Sequence, residues 1–441
     1  MAIDSGILHF PGLKIKENIV HSKEAALRYN QSENLPDLSF SAQQDFGTIN
    51  SSFGPSYSFK GLTASSSGPI RSKQSWDAAF GSLYLANIQW DVFAFGKARK
   101  KVQLGLEILN SSKSDLEQEI FEHKIKIASA YLQLLSAESF INLQKANLKR
   151  ANQIRTLVIS RTRSGLNPGV DSSIANAEVS NAKIALIHAQ ELAKEYQTEL
   201  NYLMGIKPQL FQLDTSFNQM IPEKLEMTEI IKPIHPVLNY YKSLINQENH
   251  QINYFRANSF PVFTLFDLLQ TRGSGFSNSY GDASPTSFSQ NYGTGINPIR
   301  SNYLIGIGLF WSFTNTLKNN HIIEEHKFLL EAAKNNYDLI NQRLKANLAI
   351  SNDRLSSALK EFQESPIQLK AAENAFLQKS VLFKNGLNNL IDLSQTLYNL
   401  NQAENQLVIS YNNVWSALLI QSAAAGDFNL FLNQIPSKKS N

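Results

Sequence analysis

The sequence predicts a mainly α-helical fold with a β-barrel portion, built from two long, internally duplicated helical hairpins and four strands per chain. Three observations lead to this fold class. Apolar residues recur at every seventh position within a proline-free stretch, residues 97–163. The same pattern returns later in the chain, with its turn and helix ends in the same order. Two segments of alternating apolar and polar residues precede each long helical stretch, and such alternation is typical of strands with one apolar face.

The first hairpin starts with the longest helix of the first half. Its seventh-position row consists of Ile120, Ile127, Leu134, Ile141 and Leu148. A sustained seven-residue period predicts a helix that packs along its length against other helices. At 1.5 Å per residue the stretch 97–163 would be about 100 Å long. A turn is predicted over 164–169, which contains two glycines and a proline, and a second helix over 171–204.

The duplication is visible in landmarks that recur 221 positions apart: Gly165 with Gly386, Asp171 with Asp392, and Gly205 with Gly426. The segment upstream of each hairpin recurs 225 positions apart, so the loops between matched elements differ in length. Fixed-period self-similarity overrides the domain count that chain length alone would suggest. We therefore predict one structural unit over 1–441 made of two repeats, 1–205 and 236–426. A mixed segment at 206–235 separates them, and a polar tail follows at 427–441.

Each repeat is predicted to contain the same elements. The first repeat has helix 12–34, strands 37–46 and 82–93, and helices 97–163 and 171–204. The second repeat has helix 237–258, strands 261–271 and 302–313, and helices 318–384 and 392–425. Long polar loops are expected at 47–80 and 272–300, and a short helical piece near Met227 to Ile231.

Composition excludes several functional classes. The chain has no cysteine, which excludes disulfides, thiolate metal sites, catalytic thiols and a lipidated N-terminal cysteine. The formal net charge is +4 with the basic residues dispersed along helices, which does not favour nucleic-acid binding. There is no apolar run of about 18 residues, so no transmembrane helix is predicted. The first residues contain no basic and apolar regions in series, so no signal peptide is visible.

The predicted strands suit a barrel with lipid outside and water inside, because apolar and aromatic residues alternate with Asn, Gln, Asp and Gly. The residues expected to face lipid are Tyr84, Ile88, Trp90, Tyr303, Ile305, Ile307 and Trp311. One face of a soluble sandwich is the alternative, which the two long hairpins disfavour. Four strands do not close a barrel, since eight is about the practical minimum. The chain is therefore expected to oligomerise.

Several motifs together resemble the TolC-like outer membrane efflux protein (OEP) family. They are the stretch Tyr131–Leu135, the turn Arg163–Leu166 with Asp171 six residues after its glycine, the closing segment Tyr202–Gly205, and their duplication. The resemblance implies a homotrimer whose twelve strands form a transmembrane β-barrel in the outer membrane of a Gram-negative bacterium. It also implies a coiled-coil helical tunnel through the periplasm. The function implied is passive export in a tripartite efflux pump or a type I secretion system, with a periplasmic adaptor (membrane fusion) protein and an inner-membrane transporter of the RND or ABC type.

The resemblance further implies that the adaptor docks at the two helical turns. The residues concerned are Ser164, Gly165, Leu166, Asn385, Gly386 and Leu387. Gly165 and Gly386 are expected to supply the positive φ that ends each long helix. Asp171 and Asp392 each open a helix after the turn, and two roles are open for them. They can cap the helix, with Gln395 completing a capping box for Asp392, or form acidic rings at the tunnel entrance, and both roles can hold at once.

Pro366 lies within the second long helix, where it removes a hydrogen bond and is expected to produce a kink. His321 and His326 are five residues apart, which places them on different sides of a helix and disfavours a metal site. No nucleophile, base and orienter occur at an interpretable spacing, so neither an enzyme nor a cofactor is expected. The alternative function is a soluble or surface coiled-coil scaffold that binds partners through its helical hairpins.

Overall fold

The computed structural model describes residues 2–51, 68–211, 213–214, 217, 220–222 and 231–435. Their contacts divide the chain into two compact units. The helical unit consists of Met1–Glu24, Glu107–Glu248 and Leu329–Asn441, and the sheet unit of Ala25–Leu106 and Asn249–Phe328. Each unit combines segments from both predicted repeats. The arrangement as one structure of two repeats therefore stays a prediction.

The described chain is mainly helical with one four-stranded sheet. In chain order the elements are α1 (Ala2–His9), α2 (Pro11–Ser32), β1 (Asp37–Thr48), β2 (Ala78–Phe93), α3 (Lys97–Arg163), α4 (Gly169–Leu203), α5 (Pro236–Ala257), β3 (Val262–Ser274), α6 (Tyr292–Ile296), β4 (Arg300–Phe310), α7 (Phe313–Lys384), α8 (Leu390–Ala425) and α9 (Asn429–Leu432). The four predicted strands and the six long predicted helices are all present. Pro11 and Pro236 begin α2 and α5, which suits a residue whose missing N–H costs nothing at the first helical position.

Some predicted boundaries are wrong. The helices α1 and α6 were not expected, and β2 begins at Ala78, inside the predicted loop 47–80. The predicted polar tail 427–441 contains helix α9, because Phe428 and Phe431 pack into the core. The strand predicted over 302–313 ends at Phe310, so Trp311 lies beyond it and α7 starts at Phe313. The reason is that Phe310 pairs with Val262, and the preceding Pro261 has no N–H to continue the ladder. The short helical piece near Met227 falls outside the described residues over 227–230, as does the end of the tail, 436–441.

The core of the helical unit surrounds Trp415, which is 1% exposed. Its indole Nε1 donates hydrogen bonds to the carbonyl oxygens of Phe217 at 3.0 Å and Met220 at 3.2 Å. The apolar side chains of this cluster come from α3, α7, α8, α9 and the segment around Phe217, and include Phe121, Leu132, Leu135, Leu355, Leu418 and Phe431. A second cluster buries Ile127 and Leu134 from the predicted seventh-position row. The heptad pattern of α3 thus marks residues in helix-to-helix contacts.

The sheet is antiparallel throughout, with the order β1-β2-β3-β4. The segments 49–77 and 275–299 join the strands at what we call the loop end, and the long helices adjoin the other end, the helix end. Because paired residues in an antiparallel ladder point to the same side, the register divides the side chains into two faces. Strand β1 is exposed along almost its entire length, so among the described residues neither of its faces is covered by a core.

Candidate functional site: the sheet faces and the helical turns

One face of the sheet is apolar and exposed. Its members are in register across the four strands, as in the row Leu38, Ile88, Asp267 and Ile305. Phe40 is 72% exposed and Tyr303 is 78% exposed. The predicted lipid-facing residues in the strands, Tyr84, Ile88, Trp90, Tyr303, Ile305 and Ile307, all lie on this face. Trp311 follows the strand. Asp267 is the one charged residue that the ladder places on this face, and the sequence analysis did not single it out.

The opposite face is mixed and more polar. Ser39 donates a hydrogen bond to the amide oxygen of Asn87, and Thr264 donates one to Asp91 at 2.7 Å. Phe266 lies directly over its partner Gly306, where a Cβ atom would collide with the ring. Leucines share this face with Asn, Gln, Asp and Arg. The two faces therefore differ in polarity, but the second face is not uniformly polar.

The two edges of the sheet are formed by β1 and β4, and among the described residues neither edge is paired with a further strand. The two strands have nearly the same length, 12 and 11 residues. An exposed strand edge is a template for pairing with another chain. The sheet is therefore open on both sides and has the geometry to extend in both directions.

Two tryptophans mark the helix end of the sheet in equivalent ways. The indole Nε1 of Trp90 donates to the carbonyl oxygen of Asn34 at 2.9 Å, and that of Trp311 donates to Ser259 at 3.1 Å. Asn34 and Ser259 occupy corresponding positions just before β1 and β3. An apolar ring with a satisfied N–H suits a membrane interface. Each tryptophan thus fixes the end of a hairpin to the segment that leads into it.

The two helical turns, 164–169 and 385–389, end their long helices in the same way. In the first turn Leu166 N–H donates to Arg161 O at 2.9 Å and Gly165 N–H to Thr162 O at 3.0 Å. In the second, the equivalent bonds start at Leu387 and Gly386. This is the Schellman motif, which satisfies carbonyls that a helix end leaves without partners. The predicted positive φ is confirmed, at 72° for Gly165 and 76° for Gly386.

The prediction that Asp171 and Asp392 cap their helices is wrong. Helix α8 is capped by Asn389, whose Oδ1 accepts from Asp392 N–H at 2.8 Å. The Asp392 carboxylate instead accepts from Lys379 at 2.9 Å. Helix α4 follows Pro168 without any side-chain cap, and Asp171 accepts from Asn167 at 2.6 Å. Both carboxylates occupy the third helical position, where they still interact favourably with the helix dipole.

Gln395 does not complete a capping box either. Its side-chain amide donates to Asn399 at 3.0 Å, within α8. The physical reason is one of position, because a capping box needs the cap three residues before the Glu or Gln. The cap of α8 is Asn389, and Asp392 occupies the position that the Glu or Gln would have to take.

Arg161 joins the two turns, and the sequence analysis missed it. Its Nε donates to Asn167 Oδ1 at 2.8 Å, and its Nη1 donates to the carbonyl oxygens of Phe383 at 3.0 Å and Lys384 at 3.2 Å. The guanidinium also lies 5.4 Å from the centre of the Phe383 ring. A cation at the carboxyl end of a helix stabilises it through the dipole. The only sequence signal was a cation near the end of α3, which many helices share.

Phe383 is the centre of a small core beneath the turns. It is 1% exposed and packs with Val158, Ala175, Leu390 and Leu393. These residues come from α3, α4, α7 and α8, so all four long helices of the unit meet here. The exposed apolar residues at the turns themselves are Leu166 and Leu387.

Helix α7 continues through Pro366 from Phe313 to Lys384. The proline has no N–H for the carbonyl oxygen of Phe362, and the Ser365 hydroxyl donates to that oxygen instead, at 3.3 Å. The same hydroxyl lies 2.8 Å from the hydroxyl of Ser410 on α8, and both serines are buried. The bond that the proline removes is therefore replaced locally, next to a contact between α7 and α8.

A groove of about 600 Å³ lies between α4 and α8, a few turns from the helical turns. Small and polar residues line it on the α4 side, including Asn181, Ala182 and Ala185, while Ile391 and Tyr398 line it on the α8 side. Asn147 of α3 is buried at its base, and its Oδ1 has no hydrogen-bond partner among the described residues.

Neither a metal cluster nor a spanning helix is found in the part of the chain that the structure describes. No three His, Asp or Glu side chains there are placed to hold a metal ion, and His326 stacks on Phe255 with ring centres 5.3 Å apart. No described helix is long and apolar enough to cross a membrane.

Comparison with known proteins agrees with this geometry. The family model described as "Outer membrane efflux protein" matches residues 17–206. Three solved structures of outer-membrane proteins are similar. VceC from Vibrio cholerae is 15% identical, with 97% of this chain and 95% of its own covered and a TM-score of 0.75. CmeC from Campylobacter jejuni is 15% identical, with 96% and 84% covered and a TM-score of 0.73. MtrE from Neisseria gonorrhoeae is 16% identical, with 97% and 88% covered and a TM-score of 0.69.

Among curated protein sequences, none matches the chain. The family match covers the first repeat and names the outer membrane, which is the predicted location. The structural similarity extends over nearly the whole chain. At sequence identities of 15–16% it shows that the fold is shared. Residues 17–206 thus match the outer membrane efflux protein family, which the motifs of the sequence resemble, and the chain has the fold of the solved outer-membrane channels.

Proposed function

We propose that three copies of this chain form a passive exit duct that crosses the outer membrane and the periplasm. The duct would complete a tripartite efflux pump or a type I secretion system, together with a periplasmic adaptor and an inner-membrane transporter of the RND or ABC type. The observation that carries the proposal is the sheet. It has an exposed apolar face, a more polar face and two free edges, in a chain with the fold of outer-membrane channels.

Closure of the sheet between copies would resolve both of its exposed features. Pairing β4 of one copy with β1 of the next would leave no free edge, and three copies supply twelve strands, enough to close a barrel. The apolar face would then contact lipid, and the polar face would line the water-filled interior. Trp90 and Trp311 would lie at one membrane interface.

The long helix α7 also supports assembly. Leu317, Phe328, Leu339 and Ile350 follow one another at intervals of 11 residues, and all four are exposed. Eleven residues bring a helix about 20° past three full turns, so the four side chains form a narrow apolar stripe. A stripe of this kind is typical of a helix that packs against a neighbouring helix, and a second copy of the chain is the partner we propose.

We place adaptor docking at the turns and in the groove between α4 and α8. Leu166 and Leu387 are exposed at equivalent positions of the two turns, next to Ser164, Gly165, Asn385 and Gly386. The groove offers Tyr398 to an incoming helix. Asp171 and Asp392 carry negative charge at the same end, which would give the entrance of a trimer six carboxylates that favour cations.

The assembly can be tested by mass measurement in mild detergent. The wild-type protein should give the mass of three chains, and Leu339→Lys should dissociate because it places a charge in the apolar stripe. Asn336→Lys, an exposed change on the same helix, is the matched control and should remain trimeric. A stable monomer or dimer of the wild-type protein would refute the proposed duct.

Membrane placement can be tested with four variants that each retain one tryptophan. In vesicles with brominated lipid, Trp90 and Trp311 should be quenched strongly because they mark the helix end of the apolar face. Trp415 should be protected, because it is buried in the helical unit. Equal quenching of Trp90, Trp311 and Trp415 would contradict the placement of the sheet in lipid.

A further inference from the structure

The two hairpins of the sheet, β1-β2 and β3-β4, have equivalent positions that can be assigned residue by residue. Trp90 donates to Asn34 O in the same way as Trp311 donates to Ser259 O. The two tryptophans are 221 positions apart in the chain, and their two acceptors are 225 positions apart. A shift of 221 therefore relates β2 to β4, and a shift of 225 relates β1 to β3.

The strand ladders agree with both shifts. At the helix end, the ladder of the first hairpin ends with Asp37 opposite Gln89, and that of the second ends with Val262 opposite Phe310. Val262 follows Asp37 by 225 positions, and Phe310 follows Gln89 by 221 positions. The internal repeat thus extends to the register in which the strands pair.

The junction between β2 and β3 joins the two repeats, and one edge of the sheet lacks its counterpart. Strand β2 continues beyond its ladder with β1 because β3 pairs with it as far as Phe93. Strand β4 ends at Phe310, where its ladder with β3 ends, and among the described residues its other edge has no partner. The counterpart of β3 in the first repeat is β1. Within one chain β1 forms the opposite edge of the sheet, so β1 of a second copy is the strand that would complete the pattern.

We propose that β4 of one copy pairs with β1 of the next copy in the register of the β2–β3 ladder. The inference rests on the proposed trimeric duct, and it specifies the contact that closes the barrel of that duct. The two shifts convert each pair of the β2–β3 ladder into a pair between copies. With the β4 side first and the next copy second, the pairs at the helix end are Gly308 with Gln43, Leu309 with Ala42, Phe310 with Ser41 and Trp311 with Phe40.

The register agrees with the two faces of the sheet. It places Leu309 beside Ala42, which both lie on the apolar face, and Gly308 beside Gln43, which both lie on the polar face. A slip by one residue would turn the apolar side chains of one copy to the polar face of the next. A slip by two residues would keep the faces, so the repeat is what selects among the registers that the faces allow.

A polar contact at the existing junction has a chemical counterpart at the proposed one. Across β2 and β3, Thr264 donates to Asp91 at 2.7 Å. The equivalent residues are Ser39 and Ser312. The Ser39 hydroxyl donates to Asn87 within its own sheet and retains lone pairs that can accept from Ser312 of the neighbouring copy. The proposed register therefore brings two groups together that can form the equivalent hydrogen bond.

Paired cysteines test the register, since the chain contains no cysteine of its own. Gly308→Cys is combined in one chain with Gln43→Cys, Ser41→Cys or Asp45→Cys. A Cβ atom on Gly308 would meet no atom closer than Phe266 Cε1 at 3.9 Å, so the substitution fits. Oxidation of purified trimers should give covalent trimers with the Gln43 partner. The other two partners should give at least about threefold less product, because diagonal neighbours in a sheet are about 7–8 Å apart and a disulfide spans about 7 Å at most between Cα atoms.

The matched control is Asn87→Cys with Leu268→Cys, the equivalent pair within a single chain. Its ladder position is the same as that of Gly308 and Gln43, so it should oxidise to a similar yield. The product should be a disulfide within one chain that leaves the copies unlinked.

Three outcomes would overturn the inference, and they are distinguishable. The highest yield with Ser41 or Asp45 as the partner would show a different register in an intact trimer. No link between copies with any of the three partners, in trimers whose control pair oxidises, would show that these strand edges do not pair. A wild-type protein with the mass of a single chain in mild detergent would refute the proposed duct itself.

Discussion

The two ends of each helical hairpin use the same glycine conformation in opposite surroundings. At the turns, Gly165 and Gly386 have φ values of 72° and 76°; at the far ends, Gly205 and Gly426 have 66° and 76°. A Cβ atom on Gly165 would meet no described atom within 4 Å, whereas one on Gly205 would lie 2.6 Å from the carbonyl carbon of His9. On Gly426 it would overlap the His235 ring. The first turn needs glycine for the backbone alone. In the second turn a Cβ on Gly386 would lie 3.3 Å from Arg161 Nη2, at the end of a flexible side chain, whereas the far ends need glycine for packing against backbone or ring atoms.

This difference shows that the far ends of the hairpins are packed against other parts of the chain, whereas the turns are exposed. The far ends are filled by the segments that lead into α2 and α5, namely His9–Phe10 and His235, which occupy corresponding positions of the two repeats. The turns leave Leu166 and Leu387 exposed. A surface that tolerates a side chain at its glycine has room for a partner, and the first turn has that room at Gly165.

The largest loss of stability should come from a substitution in the core beneath the turns, because buried apolar packing holds the turns together. Phe383→Ala removes the largest side chain of that core and should cost about 3–5 kcal/mol of local stability. Hydrogen exchange at the ends of α3, α7 and α8 should accelerate. Leu382→Ala, at a partly exposed neighbour on the same helix, is the control. Equal acceleration in both variants would show that Phe383 does not hold the turns.

Substituting the glycines by alanine measures directly how much more stability is lost at the far ends than at the turns. Alanine at any of the four positions must adopt a left-handed conformation, which costs about 1–2 kcal/mol. At Gly205 and Gly426 the added methyl also collides with packed atoms, which should add about 1–3 kcal/mol. Thermal melting of the trimer should therefore fall further for Gly205→Ala and Gly426→Ala than for Gly165→Ala. The contrast between the ends is refuted if the three variants melt together.

Acid should weaken the far ends and spare the turns. His123 and His235 are both buried there; His123 Nε2 is 2.9 Å from Leu203 O, and its ring stacks on Phe10. His235 accepts from Val237 N–H at Nδ1 and faces Ala423 O with Nε2, which is the pattern of a neutral ring. Burial is the main cause that lowers the pKa of both histidines, ahead of the backbone carbonyl contacts that raise it.

The sign of the pH effect follows from these pKa values. In the unfolded chain a histidine binds a proton below about pH 6.5, whereas in the folded chain these two rings remain neutral to lower pH. The unfolded state then binds more protons, so stability falls as the pH drops below about 6.5. His123→Gln and His235→Gln should flatten the fall in melting temperature. His188→Gln, at an exposed position, should leave it unchanged, and an equally steep fall in all variants would contradict a role for the buried rings.

Much of the fold could be predicted because its signals repeat. The heptad row, the strand alternation and the four helix-ending glycines each occur in both halves, so the bounds of α3 were predicted to the residue. The end of β4 was missed because alternation continues through Trp311 while the ladder depends on the partner strand, where Pro261 intervenes. Single-sequence periodicity carries no information about the partner.

The sites were predicted less completely, for a related reason. Gly165 and Gly386 could be recognised because backbone conformation restricts the residue type. Arg161, which reaches from one turn to the carbonyl oxygens of the other, could not, because its partners are 222 and 223 positions away. The position of Asp267 on the apolar face of the sheet likewise depends on strand register. Contacts between elements distant in sequence leave no local pattern.

The smallest effect concerns how the two turns begin their second helices. Helix α8 has the Asn389 cap, whereas α4 follows Pro168 without one. Asn389→Ala should therefore destabilise the second turn by about 1 kcal/mol. Asp392→Ala should cost less, about 0.3–1 kcal/mol, because it removes a dipole interaction and a partly exposed ion pair with Lys379.

The same comparison distinguishes the contribution of the Asn389 cap from that of the Asp392 carboxylate. Asp171→Ala is the comparison in the uncapped first turn, where it removes the dipole interaction and the hydrogen bond from Asn167 but no ion pair. The rate of hydrogen exchange at the backbone amides in the first turn of α8 compares Asn389→Ala with Asp392→Ala, because both substitutions act on this helix start. If Asp392→Ala accelerated exchange more than Asn389→Ala, the Asp392 carboxylate and not the Asn389 cap would be the main stabiliser of this helix start.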